Sequence, residues 1–217
     1  MRAGWPESKR RLAIALGLLL LGQSAGCGSK EGGVTASIPG EGATQASDVL
    51  HPVVQIKTSL GELTVELDAE KAPISVDNFL GYVERGDYNG TIFHHVEAGF
   101  IAVSGGYDER GRELTAEPSI RNEAHQTPKN TRGTLALSRQ PDAIDSASNQ
   151  FFFNLADNAS LDYRDRTAED YGYAVIGHVT KGLDVLDQIG QTPTEAKGTF
   201  ASLPKKSIII ESMKRLK

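Results

Sequence analysis

Alternating apolar and polar positions organise this chain from residue 52 onward. Residues 53–58 (Val-Val-Gln-Ile-Lys-Thr) and 62–67 (Glu-Leu-Thr-Val-Glu-Leu) flank Ser59-Leu60-Gly61. The second run alternates strictly, which predicts a hairpin with one buried face. Over residues 73–83 the period changes to that of a helix. Val76, Phe79, Leu80 and Val83 share one face, Pro73 suits the first turn, and Gly86 suits a C-terminal cap. Further strand-like runs fall at 91–96, 100–104, 133–138, 150–154, 173–179 and 206–212, with a second short helix marked by Leu183, Leu186 and Ile189. Eight short strands and two helices without strict strand–helix alternation predict a mainly β fold, a closed eight-stranded antiparallel barrel capped by two α-helices. No internal repeat is present.

The first 50 residues follow a different logic. Arg2, Lys9, Arg10 and Arg11 precede an apolar run at 12–21, and small residues lead to Cys27, the layout of a secretory signal over residues 1–27. Ten apolar residues span about 15 Å as a helix, half of a hydrocarbon core of roughly 30 Å, too short for a permanent membrane span. Ser24-Ala25-Gly26-Cys27 resembles a bacterial lipobox, with Ser24 where Leu is usual, and Cys27 is the only cysteine. The resemblance implies lipidation of Cys27 and a lipid-anchored place in the cell envelope, facing the periplasm or cell exterior. Gly28, rather than Asp, after the cysteine points toward an outer membrane. Residues 28–50, rich in Gly, Ser, Ala, Thr and Glu, bury too little to fold and read as a flexible tether. Residues 51–217 form the folded domain.

Charge narrows the partners. The chain holds 23 basic and 28 acidic residues; loss of residues 1–27 removes four basic residues and Glu7, leaving 19 against 27 and a net charge of −8. Such a balance argues against nucleic acid and anionic lipid as the main partner. With one cysteine, no disulfide forms within the domain.

Four runs together resemble the cyclophilin family of peptidyl-prolyl cis-trans isomerases, and its short bacterial members most. They are Asn78-Phe79-Leu80, Tyr88-Asn89-Gly90-Thr91-Ile92-Phe93-His94, Lys129-Asn130-Thr131-Arg132-Gly133-Thr134-Leu135-Ala136 and Ser148-Asn149-Gln150-Phe151-Phe152, in matching order and spacing. The resemblance covers about residues 52–213. It implies a barrel with a proline-binding groove on its outer face and no metal or cofactor. By residue-level transfer Phe100 and Phe152 occupy the proline pocket, with Ile101 replacing its usual Met. Gln150 contacts the substrate backbone, Tyr173 stands at a groove position, and Leu137, on a neighbouring strand, completes the substrate-binding set. Read from pattern alone, Phe100 and Phe152 are equally ordinary barrel core.

The chemistry is compatible. Rotation about an Xaa–Pro bond meets a barrier of about 18–20 kcal/mol and needs no nucleophile. A dry slot for the ring and donors aimed at the twisted amide suffice.

Two departures stand out. The Phe-His-Arg of active cyclophilins reads Phe93-His94-His95, so His95 takes the place of the catalytic Arg, and Val103 falls where the family has Gln. A neutral imidazole offers one donor against five on a guanidinium, which predicts reduced activity, with turnover rising as pH falls through about 6.5. Adjacent strand residues point to opposite faces, so His94 and His95 are not expected to share a metal, and His94 is read as a ring hydrogen-bonded inside the barrel. Asp157, Asp162, Asp165 and Asp170 lack calcium-loop spacing and read as a solvated face. The sequence thus predicts a monomeric, envelope-attached isomerase acting on proline-containing segments of exported proteins and assisting their folding. The alternatives are a non-catalytic prolyl-peptide binding module or holdase on the same scaffold, and a structural lipoprotein.

Overall fold

The computed structural model describes residues 48–216; the segment 1–27 with Cys27, and the tether up to residue 47, lie outside the described residues. Along the described chain run β1 (Val53–Thr58), β2 (Gly61–Leu67), α1 (Pro73–Arg85), β3 (His95–Glu97), β4 (Ile101–Ser104), β5 (Thr134–Leu137) and β6 (Phe151–Asn154). Then come β7 (Val175–Lys181), α2 (Leu183–Gly190), β8 (Thr194–Lys197), β9 (Phe200–Pro204) and β10 (Ile210–Arg215). A backbone bond from Ala69 N to the Leu50 carbonyl and a side-chain bond from Arg215 Nη2 to the Asp48 carbonyl attach the chain to the domain from residue 48 on.

Eight strands form one antiparallel sheet in the order β10-β1-β2-β7-β5-β6-β4-β3. The predicted closed barrel is therefore corrected to an open, curled sheet: β10 and β3 end the order, and no ladder joins them. An isolated bridge between Ile92 and Ile209 crosses the seam, flanked by Phe93 N to Ile208 O at 3.0 Å and Ile210 N to Thr91 O at 2.8 Å. The cause is local. Successive amides of residues 92–94 go to Tyr107, Ile208 and Val103, so this segment shares itself between two neighbours and ladders with neither. β3 begins only at His95.

The first hairpin forms because Val54, Ile56, Leu63, Val65 and Leu67 all face one side and are fully buried, with Val54 opposite Val65 and Ile56 opposite Leu63. Helix α1 ends where Gly86 adopts φ 74°, its amide returning to the Tyr82 and Val83 carbonyls. Its N-terminus has no side-chain cap of its own. Glu123 serves from 48 residues away, accepting Ser75 N at 2.8 Å and Ser75 Oγ at 2.7 Å, a negative group at the positive end of the helix.

Strand pleating sorts the apolar residues into two sets. Ala102, Leu135, Leu137, Phe151, Phe153 and Ile176 join the first hairpin and both helices in the main core. Ile101, Val103, Ala136, Phe152 and Val175 point the other way, into a separate cluster completed by Leu161 and Tyr173. Strands β4, β5 and β6 are consequently buried along their whole length, which is why Phe151-Phe152-Phe153 reads as a run rather than an alternation.

The β8–β9 hairpin was not legible in the sequence, because its Thr-Glu-Ala-Lys strand buries no face. It is held by Phe200, whose ring packs against Tyr107 at 4.9 Å and His94 at 6.1 Å.

Candidate active site

The outer cluster is laid out by strand register. His95 stands opposite Val103, Val103 opposite Phe152, Phe152 opposite Ala136, and Ala136 opposite Val175. Opposed residues in an antiparallel pair lie about 4.5–5.5 Å apart at Cβ. These five side chains therefore form one strip across β3, β4, β6, β5 and β7, apolar from Val103 to Val175 and ending in an imidazole.

Ile101 and Phe100 extend the strip along β4. Phe100 follows a turn in which its amide bonds to the Glu97 carbonyl at 3.0 Å and Gly99 takes φ 69°. On the far side Tyr173 packs edge-to-face on Phe152 at 5.6 Å, and its amide bonds to the Leu161 carbonyl at 2.9 Å. A chain of buried asparagines ties the two sides together. Asn130 Nδ2 donates to the Leu161 carbonyl at 3.1 Å and the Tyr173 carbonyl at 3.3 Å. Asn154 Nδ2 donates to Asn130 Oδ1 at 3.2 Å, and Asn158 Nδ2 to Asn154 Oδ1 at 2.7 Å and the Phe100 carbonyl at 2.9 Å. A network so fully satisfied holds its members rigidly.

Gln150, half-buried, enters β6 beside the strip. A Cβ on Gly106 would lie 2.8 Å from its amide carbon and nitrogen, so only glycine there lets the amide rest where it does. Gly105 adopts φ 86°, and a Cβ on it would meet the Asn149 carbonyl at 2.5 Å, so this Gly-Gly pair shapes the bed of Gln150.

His95 is 9% exposed, and burial pushes its imidazole below the ordinary histidine range. Its Nε2 lies 3.9 Å from Glu97 Oε2, two residues along β3. His94 lies beside it rather than behind it. Phe93 and Val96 both belong to the main core, and Val103 faces two residues: it accepts the His94 amide at 3.1 Å while standing in register with His95. This is a bulge, and it breaks the alternation on which opposite orientations of the two histidines were expected. The ring of His94 is buried, and the Ile92 backbone and the Gln150 side chain, which hydrogen-bond to it, only partly offset that burial. Its ring packs edge-on to Tyr107 at 4.8 Å, its Nδ1 is buried without a hydrogen-bond partner, and burial, with His95 adding to it, lowers its pKa to about 3. Among the described residues no group of three His, Cys, Asp or Glu converges on a metal position.

Of the residues singled out in the sequence, Phe100, Ile101, Phe152 and Tyr173 come together in the outer cluster, with His95 and Gln150 at its border. Leu137 does not. It follows Ala136 by one residue, so the pleat turns it into the main core, away from the groove. Leu161 was missed, being a lone apolar residue in a polar loop with no periodicity to reveal it. Val175 was legible in principle, two residues from Tyr173 on the same strand-like run. Two of the aspartates read as a solvated face do structural work: Asp157 Oδ1 accepts the Arg132 amide at 2.9 Å and Asp162 Oδ1 the Asn130 amide at 2.8 Å.

An apolar strip bordered by a carboxamide and an imidazole can grip a pyrrolidine ring and present donors to the amide beside it, and it contains no nucleophile–base pair. Comparison with known proteins agrees. Residues 53–215 match the family described as cyclophilin type peptidyl-prolyl cis-trans isomerase/CLD. The chain is 44% identical over 184 residues to peptidyl-prolyl cis-trans isomerase A of Dickeya dadantii, covering 85% of this chain and 92% of that protein. It is 39% identical over 161 residues to peptidyl-prolyl cis-trans isomerase B of Escherichia coli, covering 74% and 98%. Among solved structures, a cyclophilin-type isomerase of Cryptosporidium parvum shares the fold with a TM-score of 0.61 at 23% identity, over 77% of this chain and 98% of that one. The chain belongs to the cyclophilin-type peptidyl-prolyl cis-trans isomerases.

Proposed function

We propose that this isomerase catalyses cis–trans exchange at Xaa–Pro bonds of exported polypeptides, assisting their folding from a lipid anchor on Cys27. Its rate is lowered by His95 in the place of the usual arginine. The observation that carries the reading is the second apolar cluster on the side of the sheet away from the main core, with Phe152 at its centre and Gln150 and His95 beside it. Phe100, Ile101, Leu161 and Phe152 hold the proline ring out of water. Gln150 orients the peptide backbone, and His95 donates to the amide as it twists. Removing a charged donor from a transition state costs about a hundredfold to a thousandfold in rate, and the imidazole restores only part of it.

The test is NMR exchange spectroscopy of an Ala-Pro-Phe peptide with protein lacking residues 1–47. Accelerated exchange, lost in Phe152→Ala, is the expected result. Binding without acceleration supports the second reading, a prolyl-peptide binding module or holdase, which the uncharged His95–Val103 pair favours. Absence of peptide binding refutes both. Labelling with radioactive palmitate, abolished by Cys27→Ser, tests the anchor.

A further inference from the structure

We propose that Arg139 acts on the reaction through Tyr173, whose hydroxyl donates a hydrogen bond to the substrate amide; this rests on the isomerase reading above. Arg139 follows β5 and is 4% exposed, yet no carboxylate of the described residues lies within ion-pair distance of it. Its donors go to backbone carbonyls instead: Nε to Gly172 at 2.8 Å, Nη1 to Gln140 at 2.8 Å and Pro141 at 3.1 Å, and Nη2 to Ala168 at 2.7 Å. These bonds clamp the segment after β5 onto the loop that carries Tyr173. The guanidinium carbon then lies 5.0 Å from the centre of the Tyr173 ring.

Burying a cation whose nearest carboxylate influence, from Asp142, lies beyond ion-pair distance is costly, and neutral donors could make the same clamp. What a neutral clamp could not supply is a permanent positive charge on the tyrosine ring. That charge favours the electron-rich oxygen, and so makes the O–H a stronger donor, against the burial that otherwise opposes ionisation. The ring is fixed on three sides, by Phe152, by Arg139 and by the backbone bond to Leu161, while its hydroxyl makes no hydrogen bond within the described residues. A hydroxyl without a partner, on a ring held edge-on to Phe152 of the proline-binding strip, is a spare donor. No proton is transferred: the hydroxyl donates to the amide as it loses conjugation and keeps its hydrogen when planarity returns. Tyr173 is thus a catalytic residue, and Arg139 is a positioning residue that also tunes it.

The experiment is peptide exchange and peptide affinity measured on the full chain for wild type, Tyr173→Phe, Arg139→Met and the double variant. Tyrosine-ring NMR titration is followed alongside. Tyr173→Phe keeps the ring and its stacking, so stability and peptide Kd are expected to stay within twofold while the exchange rate falls tenfold or more. Arg139→Met is expected to raise the Tyr173 titration midpoint and to slow exchange by a factor that vanishes when Tyr173 is already Phe. If Arg139→Met fails to fold, Tyr173→Phe decides alone. Unchanged exchange in Tyr173→Phe overturns the proposal, as do losses that multiply in the double variant. Failure of the wild type to accelerate exchange removes the isomerase reading itself, an outcome read separately from any variant.

Discussion

His95 and Val103 stand directly opposite each other across the β3–β4 ladder, so the two polar positions at which this chain departs from the cyclophilin pattern are one cross-strand pair. Val103 is 1% exposed and packs in the outer cluster. An arginine introduced at 95 alone would extend along an apolar wall with no side-chain acceptor opposite it. Contacting residues are energetically coupled. His95→Arg is therefore expected to gain less than about tenfold in kcat/KM. His95→Arg with Val103→Gln should approach the roughly hundredfold or greater gain of a restored charged donor. Measuring all four proteins checks this; gains that simply multiply would show two independent sites.

The rise of turnover on acidification moves to lower pH than the sequence implied. Burial disfavours the imidazolium of His95, and Glu97, 3.9 Å away with its side chain 38% exposed, is too well solvated to offset that fully. The expected profile of kcat/KM is flat from pH 8 to 6.5 and climbs only below the ordinary histidine range. A climb centred at or above 6.5 would contradict burial as the dominant influence.

Folding stability should depend on pH in the opposite sense. His94 titrates near 3 in the folded protein and about 6.5 when unfolded, so between these values the unfolded chain binds a proton that the native one refuses. Stability is complete above pH 6.5 and falls as pH drops through this window, by up to about 1.4 kcal/mol per pH unit. Urea midpoints from pH 7.5 to 4.5 will show this slope, shallower in His94→Phe.

Leu137 and Phe152 separate stability from binding. Leu137→Ala opens the main core and should cost about 2–5 kcal/mol while leaving the peptide Kd of the folded fraction unchanged. Phe152→Ala should cost about 3–5 kcal/mol and also weaken peptide binding, because its ring sits in the outer cluster. Urea unfolding and peptide titration on both variants distinguish the two faces; lost affinity in Leu137→Ala would move that residue back into the groove.

Gly106→Ala offers a milder probe. The atoms nearest its new Cβ all belong to the Gln150 side chain, which can swing away, so stability should change little while peptide affinity falls. Gly105→Ala meets the fixed Asn149 carbonyl at a left-handed φ of 86° and should lose about 1–3 kcal/mol of stability. Equal destabilisation by the two would refute the assigned role of Gly106.

Local pattern alone determined the first hairpin, helix α1 with its Pro73 start and Gly86 cap, helix α2, and the approximate places of the sheet strands. Each of those features is written in neighbours two to four residues apart, the range over which strand and helix periods operate. Motif resemblance added Phe100, Ile101, Phe152, Tyr173, Gln150 and His95 as candidates. Other relationships depend on residues far apart in the chain, and only the tertiary structure decided them. The sheet stays open because residues 92–94 divide their amides among three distant partners. A bulge against Val103 sets His94 beside His95, where alternation would have opposed them. The pleat of β5, fixed by its register with β6 and β7, sends Leu137 inward and Ala136 outward. Leu161 and Arg139 gained their places from loops whose course is set by hydrogen bonds spanning some 30 residues. Period specifies which residues share a face; which face meets the core and which meets the substrate follows from how the strands are assembled.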